Sequence, residues 1–291
     1  MNTINDNPGA GIGGDGVRNA DTAVVAGFGE EWTKFDHAEF SGAEFERLFA
    51  SYFDIFPWQS LPAGASGFDL GCGSGRWARG VAPRVGTLYC VDASDAALQV
   101  ARRNLAQSAN VEFVHASVGD LPFAARSMDF AYSLGVLHHV PDTAAGIREV
   151  AARLKPGAPF LLYLYYALDN KPAWYRLLHR CSELVRWAIA RCPFRLRYLL
   201  SQLIAATVYW PLARLSRWLE RRGRNVAGMP LSFYRNCDFY TMRTDALDRF
   251  GTRLEQRFSR AQIADMMSRA GLTRIQFSEL PPFWTAVGFK S

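Results

Sequence analysis

The feature that most constrains this chain is the run Phe68-Asp69-Leu70-Gly71-Cys72-Gly73-Ser74-Gly75. It follows a short apolar stretch and precedes a helical pattern. Glycines at such a strand-to-helix turn let the backbone bend sharply and approach a ligand with no Cβ in the way. Asp92 ends the next apolar run, nineteen residues after Gly73. A carboxylate at the end of the second strand can accept hydrogen bonds from ribose hydroxyls. Together the turn and the acid predict a site for a nucleoside-containing ligand at the switch point of an open sheet.

The surrounding pattern fits such a sheet. Short β runs at 67–71, 87–92, 111–116, 128–134 and 160–166 alternate with helical runs at 76–81, 96–107 and 144–154. That alternation predicts parallel strands with helices on both faces. Ser259 caps a further helix, and two strands near 274–279 and 284–289 close the chain. The expected fold is α/β, a doubly wound, seven-stranded, mostly parallel Rossmann-like sheet. The chain divides into a tail at 1–22 without apolar periodicity, an N-terminal helical lid at 23–62, a nucleoside-binding core at 63–167, a basic helical insertion at 168–258, and a C-terminal helix with the last two strands at 259–291.

The spacing argues against a dinucleotide. The dinucleotide fingerprint has its third glycine where this chain has Arg76, and the run here is G-x-G-x-G. Asp69, two residues before the first glycine, is a poor neighbour for a pyrophosphate and a reasonable one for a cation such as an amine or a sulfonium.

With these motifs the chain resembles the class I S-adenosylmethionine (SAM)-dependent methyltransferases, with a core of the methyltransferase type 11 kind. Asp69 to Gly75 is similar to their first motif and Val91-Asp92 to the second. Leu121-Pro122-Phe123 with Met128-Asp129, then Leu137-His138-His139-Val140 and Leu154-Lys155-Pro156-Gly157, resemble later landmarks in the same order. The resemblance implies S-adenosyl-L-methionine as cofactor and S-adenosyl-L-homocysteine as product. It implies that Asp69, Gly71 and Gly73 face the methionyl half, that Asp92 holds the ribose and that Ala93 flanks the adenine. Ser117 and Val118 stand where the family often has an acid for the adenine amino group, with Asp120 nearby as a substitute. Leu134 lies beneath the cofactor. Trp32, with Phe28, Glu31 and Phe35, belongs to an N-terminal helix of the kind that covers it. Cys72 is expected to be a small buried residue and no nucleophile.

Methyl transfer from a sulfonium is an in-line displacement, so much of the catalysis is alignment and exclusion of water. A base is required only for an acceptor protonated at neutral pH, such as a hydroxyl. His138, His139 and Tyr165 follow the fourth and fifth strands and are the candidate catalytic residues. Tyr234, Arg235, Phe239, Tyr240, Arg243, Glu255, Gln256, Arg257 and Phe258 are candidates for lining the acceptor site.

Charge bears on partners. The net charge is +6, yet residues 171–224 hold twelve Lys/Arg and two acids, a local +10. The helical runs there carry apolar faces, one through Trp174, Leu177, Leu178, Cys181, Leu184 and Val185. Others run through Leu196, Leu199, Leu200, Leu203 and Ile204, and through Leu212, Leu215, Trp218 and Leu219. The plain expectation for each helix is an apolar core side and a solvated basic side. Three roles fit the segment: a cap whose arginines bind an anionic acceptor, a surface contacting anionic membrane, and phosphate contacts to nucleic acid. No nucleic-acid-binding motif is present, which ranks the last lowest.

The expected activity is methyl transfer to a small-molecule, glycan or lipid-linked acceptor. The rival readings are an RNA or protein methyltransferase, and a non-catalytic module of this fold that tethers anionic partners. Five cysteines without a C-x-x-C pair argue against a disulfide framework and a structural zinc. With no signal-like start, a cytoplasmic protein is expected, with contact at the inner membrane face as an extension.

Overall fold

The structure, a computed structural model, describes residues 19–34 and 42–291. Most of the expected tail, and Phe35 and Phe40 of the aromatic run, lie outside the described residues. Two helices come first, α1 (Thr22–Lys34) and α2 (Gly42–Phe53). The core then alternates through β1 (Ser66–Leu70), α3 (Ala78–Val81), β2 (Thr87–Asp92), α4 (Asp95–Asn104), β3 (Val111–His115), β4 (Phe130–Leu134), α5 (Thr143–Arg153) and β5 (Pro159–Tyr163). Four longer helices follow: α6 (Ala173–Ile189), α7 (Phe194–Ile204), α8 (Trp210–Arg221) and α9 (Phe239–Gly251). The chain ends with α10 (Arg260–Arg269), β6 (Leu272–Phe277) and β7 (Ala286–Lys290).

The seven strands form one sheet in the order β3-β2-β1-β4-β5-β7-β6. All neighbours are parallel except β7, which runs antiparallel to β5 and β6. The order reverses between β1 and β4. In an open α/β sheet that reversal opens a crevice beyond the strand ends, where ligands bind. The expected fold is therefore the observed one.

Two apolar layers hold the sheet. On one face Phe49, Phe53, Trp77, Leu98 and Tyr132 pack together, bringing α2 and α4 onto the strands. On the other, Phe68, Val91, Ile147, Phe160 and Met267 bring in α5 and α10. Local chemistry sets the helix starts. Ser94 accepts from the Ala97 amide, Asp142 from Ala145, Asp238 from Thr241, and Ser259 forms a capping box with Gln262.

Some strand ends differ from the sequence reading. β4 begins at Phe130, because Met128 makes only an isolated bridge to Leu154. β5 stops at Tyr163, and Tyr166 instead bridges to Phe258 of the returning insertion. The larger departure is in α6–α8. Their only buried residues are Ile189, Ser201, Ala213 and Ser216; of the large apolar side chains expected to face a core, Leu200, Ile204, Leu212 and Leu219 are half-buried and most of the others are exposed. On the inner side a small third core joins Ile189, Ala205, Tyr209 and Ala213 to Met242, Ala246 and Phe250 of α9, with polar contacts beside it.

Gly67, in the middle of β1, offers a direct check on sheet packing. A Cβ there would lie 2.5 Å from the Phe130 carbonyl oxygen and ring. Gly67→Ala is expected to cost about 1–3 kcal/mol by overpacking, read as a lowered midpoint in urea with an unchanged slope.

Candidate active site

The glycine turn closes over the end of β2. The amides of Gly71 and Cys72 donate to the Val91 carbonyl at 2.8 and 3.0 Å, and Gly75 N donates to the Cys72 carbonyl at 2.9 Å. Gly71 has φ +74°, and a Cβ there would meet the Val136 methyls at 2.4 Å. Glycine at this position is therefore both a conformational and a steric requirement.

Asp92 locks the turn from the other side. One carboxylate oxygen accepts from Gly73 N at 2.9 Å and the other from Ser94 N at 2.8 Å. Burial raises the Asp92 carboxyl from its ordinary range, while these amides work to lower it. Each oxygen keeps a lone pair, so the group can still accept from a diol.

A cleft opens above the turn. Gly71, Asp92, Ala93, Ser117, Val118 and Leu134 are among its lining residues, so those predicted positions converge on one crevice. Its walls are mostly apolar with a few polar groups, the usual make-up of a small-molecule site. Asp69 and Gly73 stand behind that wall. Asp69 is 1% exposed beneath the turn, and burial pushes its carboxyl up to about 8. At pH 7 it is largely protonated, and a cation nearby would favour the ionised form. Ser117 Oγ donates to Asp120 at 3.4 Å, and Asp120 itself is exposed.

The lid is α1. A Gly73 Cβ would stand 2.9–3.1 Å from the Trp32 indole, so that ring lies directly on the turn. Asn19 exchanges two hydrogen bonds with the Asp142 backbone, each 2.8 Å, tying the lid to the core. Glu30 pairs with Arg197 of α7 at 3.3 Å, tying it to the insertion.

A second cavity of about 620 Å³ lies between the core and the insertion. It shares Phe28, Trp32, Arg76, Trp77, Leu134 and Gly135 with the first cleft. Seven tyrosines line it, from both the core and the insertion. Of the expected acceptor-site residues, Tyr234, Arg235 and Arg257 line this cavity. Gln256 instead holds the loop that leads into α5 through the Val140 carbonyl at 2.7 Å, and Glu255 bridges Arg249 and Arg257.

The three catalytic candidates part company. His138 is fully buried, stacks on Tyr165 at 3.8 Å between ring centroids and lines neither cavity. Burial and the neighbouring His139 hold its ring well below the usual histidine range. His139 lines the first cleft, with Nδ1 2.7 Å from the Leu254 carbonyl and Nε2 3.6 Å from Asp248. That geometry places the proton on Nδ1. Tyr165 lines the second cavity and donates its hydroxyl to Asp248.

Sequence reasoning missed the acids here. Asp245 and Asp248 of α9 line the second cavity with Glu31 of the lid. Burial pushes Asp245 up to about 6. Burial, then the nearby Asp248 and Asp245, push Glu31 well above the carboxylate range. Burial likewise raises Asp248, against the pull of His139 and Tyr165. The signal was the polar stripe Asp245, Asp248, Arg249 and Thr252 at helical spacing, opposed to Met242, Ala246, Leu247 and Phe250.

Two predictions follow from these carboxylates. Asp92→Ala removes the acceptor for two amides and for a diol, so SAM affinity is expected to fall by about 1.5–3 kcal/mol in isothermal titration. Asp245 titrates higher in the folded than in the unfolded chain. Its folded-state stability is therefore greatest below the ordinary carboxylate range and declines as pH rises through about 6. Asp245→Asn mimics the protonated form and is expected to stabilise the fold at pH 7.5 by about 1–2 kcal/mol in urea unfolding.

The family model described as methyltransferase domain matches residues 68–162. The chain is 29% identical over 189 residues to a ubiquinone biosynthesis O-methyltransferase of Xanthomonas axonopodis pv. citri, covering 63% of this chain and 74% of that one. It is 32% identical over 97 residues to a demethylmenaquinone methyltransferase of Staphylococcus aureus, covering 32% of this chain and 40% of that one. Among solved structures, a SAM-dependent methyltransferase of Methanosarcina mazei superposes with TM-score 0.49 at 17% identity, over 81% of this chain and 98% of the other. Residues 68–162 thus carry a methyltransferase domain, and that match together with the observed sheet order supports a class I SAM-dependent methyltransferase.

Proposed function

We propose that this enzyme methylates a hydroxyl group on a small aromatic acceptor held in the cavity beneath the insertion. The observation that carries the reading is the shared wall of Phe28, Trp32, Arg76, Trp77, Leu134 and Gly135. An acceptor in the larger cavity meets a donor in the smaller cleft only there. The tyrosine-rich lining suits a flat ring, since offset and edge-on contacts between rings are favourable. The name of the Xanthomonas relative, an O-methyltransferase of ubiquinone biosynthesis, supports an oxygen nucleophile.

In this reading Asp92 holds the ribose of SAM, Ala93 and Val118 flank the adenine with Ser117 at its edge, and Leu134 supports it from below. Gly71 admits the methionyl half, with Gly73 and Asp69 behind it and Trp32 closing over the turn. Bound SAM supplies a methyl group on a sulfonium, whose departure leaves a neutral thioether. The protein must then take a proton from the acceptor hydroxyl. Tyr165 already donates its own proton to Asp248, which leaves its oxygen lone pairs turned to other donors. As Tyr165 accepts the acceptor's proton, it passes its own to Asp248. His139 Nε2 lies 3.6 Å from the same carboxylate, and His138 backs the Tyr165 ring.

The relay needs an ionised Asp248. Because its carboxyl sits above the ordinary range, kcat is expected to fall as pH drops towards mildly acidic values, earlier than for an exposed aspartate. Asp248→Asn should lower kcat by about 100-fold or more while SAM binding is retained. The assay is labelled-methyl transfer from SAM to 3,4-dihydroxybenzoate and to matched anilines. Methylation of the anilines alone, or full activity in Asp248→Asn, would remove the hydroxyl reading.

A further inference from the structure

Helices α6, α7 and α8 carry large apolar side chains on their outer faces in addition to the small core they share with α9. In α6 the stripe Trp174, Leu177, Leu178, Leu184 and Val185 faces solvent, with Leu184 at 74% exposed. Its half-buried positions are polar: Glu183 bonds Arg249 and Arg186, and His179 and Ser182 contact Arg249 as well. In α7, Leu196, Leu199 and Leu203 are exposed in one row, and the residue buried is Ser201. The next turn and α8 expose Val208, Trp210, Leu215 and Trp218 over a buried Ala213 and Ser216. Thirteen of the fourteen large apolar side chains exposed among the described residues fall between 174 and 218. Scattered exposed leucines need no explanation, but a concentration of this kind within one run of helices points to an interaction surface.

The charge on this surface selects its partner. Residues 171–224 carry +10, and Arg176, Arg180, Arg195 and Arg221 are exposed there. Arg191, Arg214 and Arg222 lie 3.8–4.1 Å over the rings of Trp187, Trp210 and Trp218. Tryptophan beside arginine suits the boundary between acyl chains and anionic headgroups, where an apolar body and a charged tip are both satisfied. A second protein copy would bring the same positive charge against itself. Among the described residues no helix is long and apolar enough to cross a membrane, so the fit is to lying on a surface.

The acceptor cavity opens beside this face. Its exposed lining residues include Arg224, Asn225 and Ala227 just past α8, and Pro281 beside the exposed Leu280. We propose that α6–α8 form a docking surface for an anionic lipid bilayer, with the mouth of the acceptor cavity held at the headgroup level. An acceptor with a lipid tail can then enter from the bilayer. That consequence rests on the function proposed above, but the docking itself does not.

The test is co-sedimentation with vesicles of equimolar phosphatidylglycerol and phosphatidylcholine, and with phosphatidylcholine alone. The intact protein should pellet with the anionic vesicles and much less with the neutral ones, and added salt should release part of it. Leu178→Glu/Leu184→Glu/Leu199→Glu, and separately Arg176→Gln/Arg180→Gln/Arg195→Gln/Arg221→Gln, should each weaken binding by at least about tenfold. Unchanged thermal melting and unchanged methylation of the water-soluble probe would exclude misfolding. Protein that stays in solution with anionic vesicles, or variants that pellet equally, would overturn the proposal. So would a dimer in sedimentation velocity that the glutamate variant abolishes without any vesicle binding. Inactivity towards 3,4-dihydroxybenzoate with intact vesicle binding would count against the proposed reaction alone.

Discussion

One carboxylate ties the architecture to the chemistry. Asp92 accepts from Gly73 on the first crossover and from Ser94 at the start of the second. Two separate chain reversals are thereby fixed relative to each other at the point where strand order reverses. Gly71 must be compact because Val136 presses from β4's end, and Gly73 because Trp32 presses from the lid. Loosening this knot would release the floor of one cleft and the seat of its cover together.

The second cavity is held differently, by acids that are costly to bury. Burial raises the protonation threshold of Glu31, Asp245 and Asp248; Asp248 adds to that of Asp245, and both aspartates add to that of Glu31. A fold selected for stability alone would replace them by amides or apolar groups. Their persistence next to Tyr165 and His139 is the mark of a site whose polarity is used. The arginines around them do not simply cancel the charge. Arg249 is occupied by Glu183 and Glu255, and Arg257 by Glu255.

The core was legible because its determinants are local. Gly71, Gly73 and Asp92 announce a bend and a strand end within a few residues, and β–α alternation reads directly from hydrophobic period. The positions of Ala93, Ser117, Val118 and Leu134 on one crevice then follow from strand order. Asp245 and Asp248 were not legible as a site, because their meeting with Tyr165 and the lid joins residues far apart in sequence. The apolar stripes of α6–α8 misled for a different reason. The rule that an apolar face turns inward assumes water on the other side. Here polar groups such as Glu183, Arg186 and Arg249 occupy the inner side. His138 and His139 show the same limit in miniature: adjacent in sequence, one is sealed among rings and the other reaches a cavity.

The lid is fastened at one end to the core by Asn19 and Asp142, and on its flank to the insertion by Glu30 and Arg197. Phe28 and Trp32 on that helix roof both compartments at once. Under the proposed function, loading and emptying of the two compartments are mechanically linked: whatever lifts the helix to exchange spent donor also unroofs the acceptor. A turnover cycle built this way favours paired arrival and paired departure over independent traffic on each side.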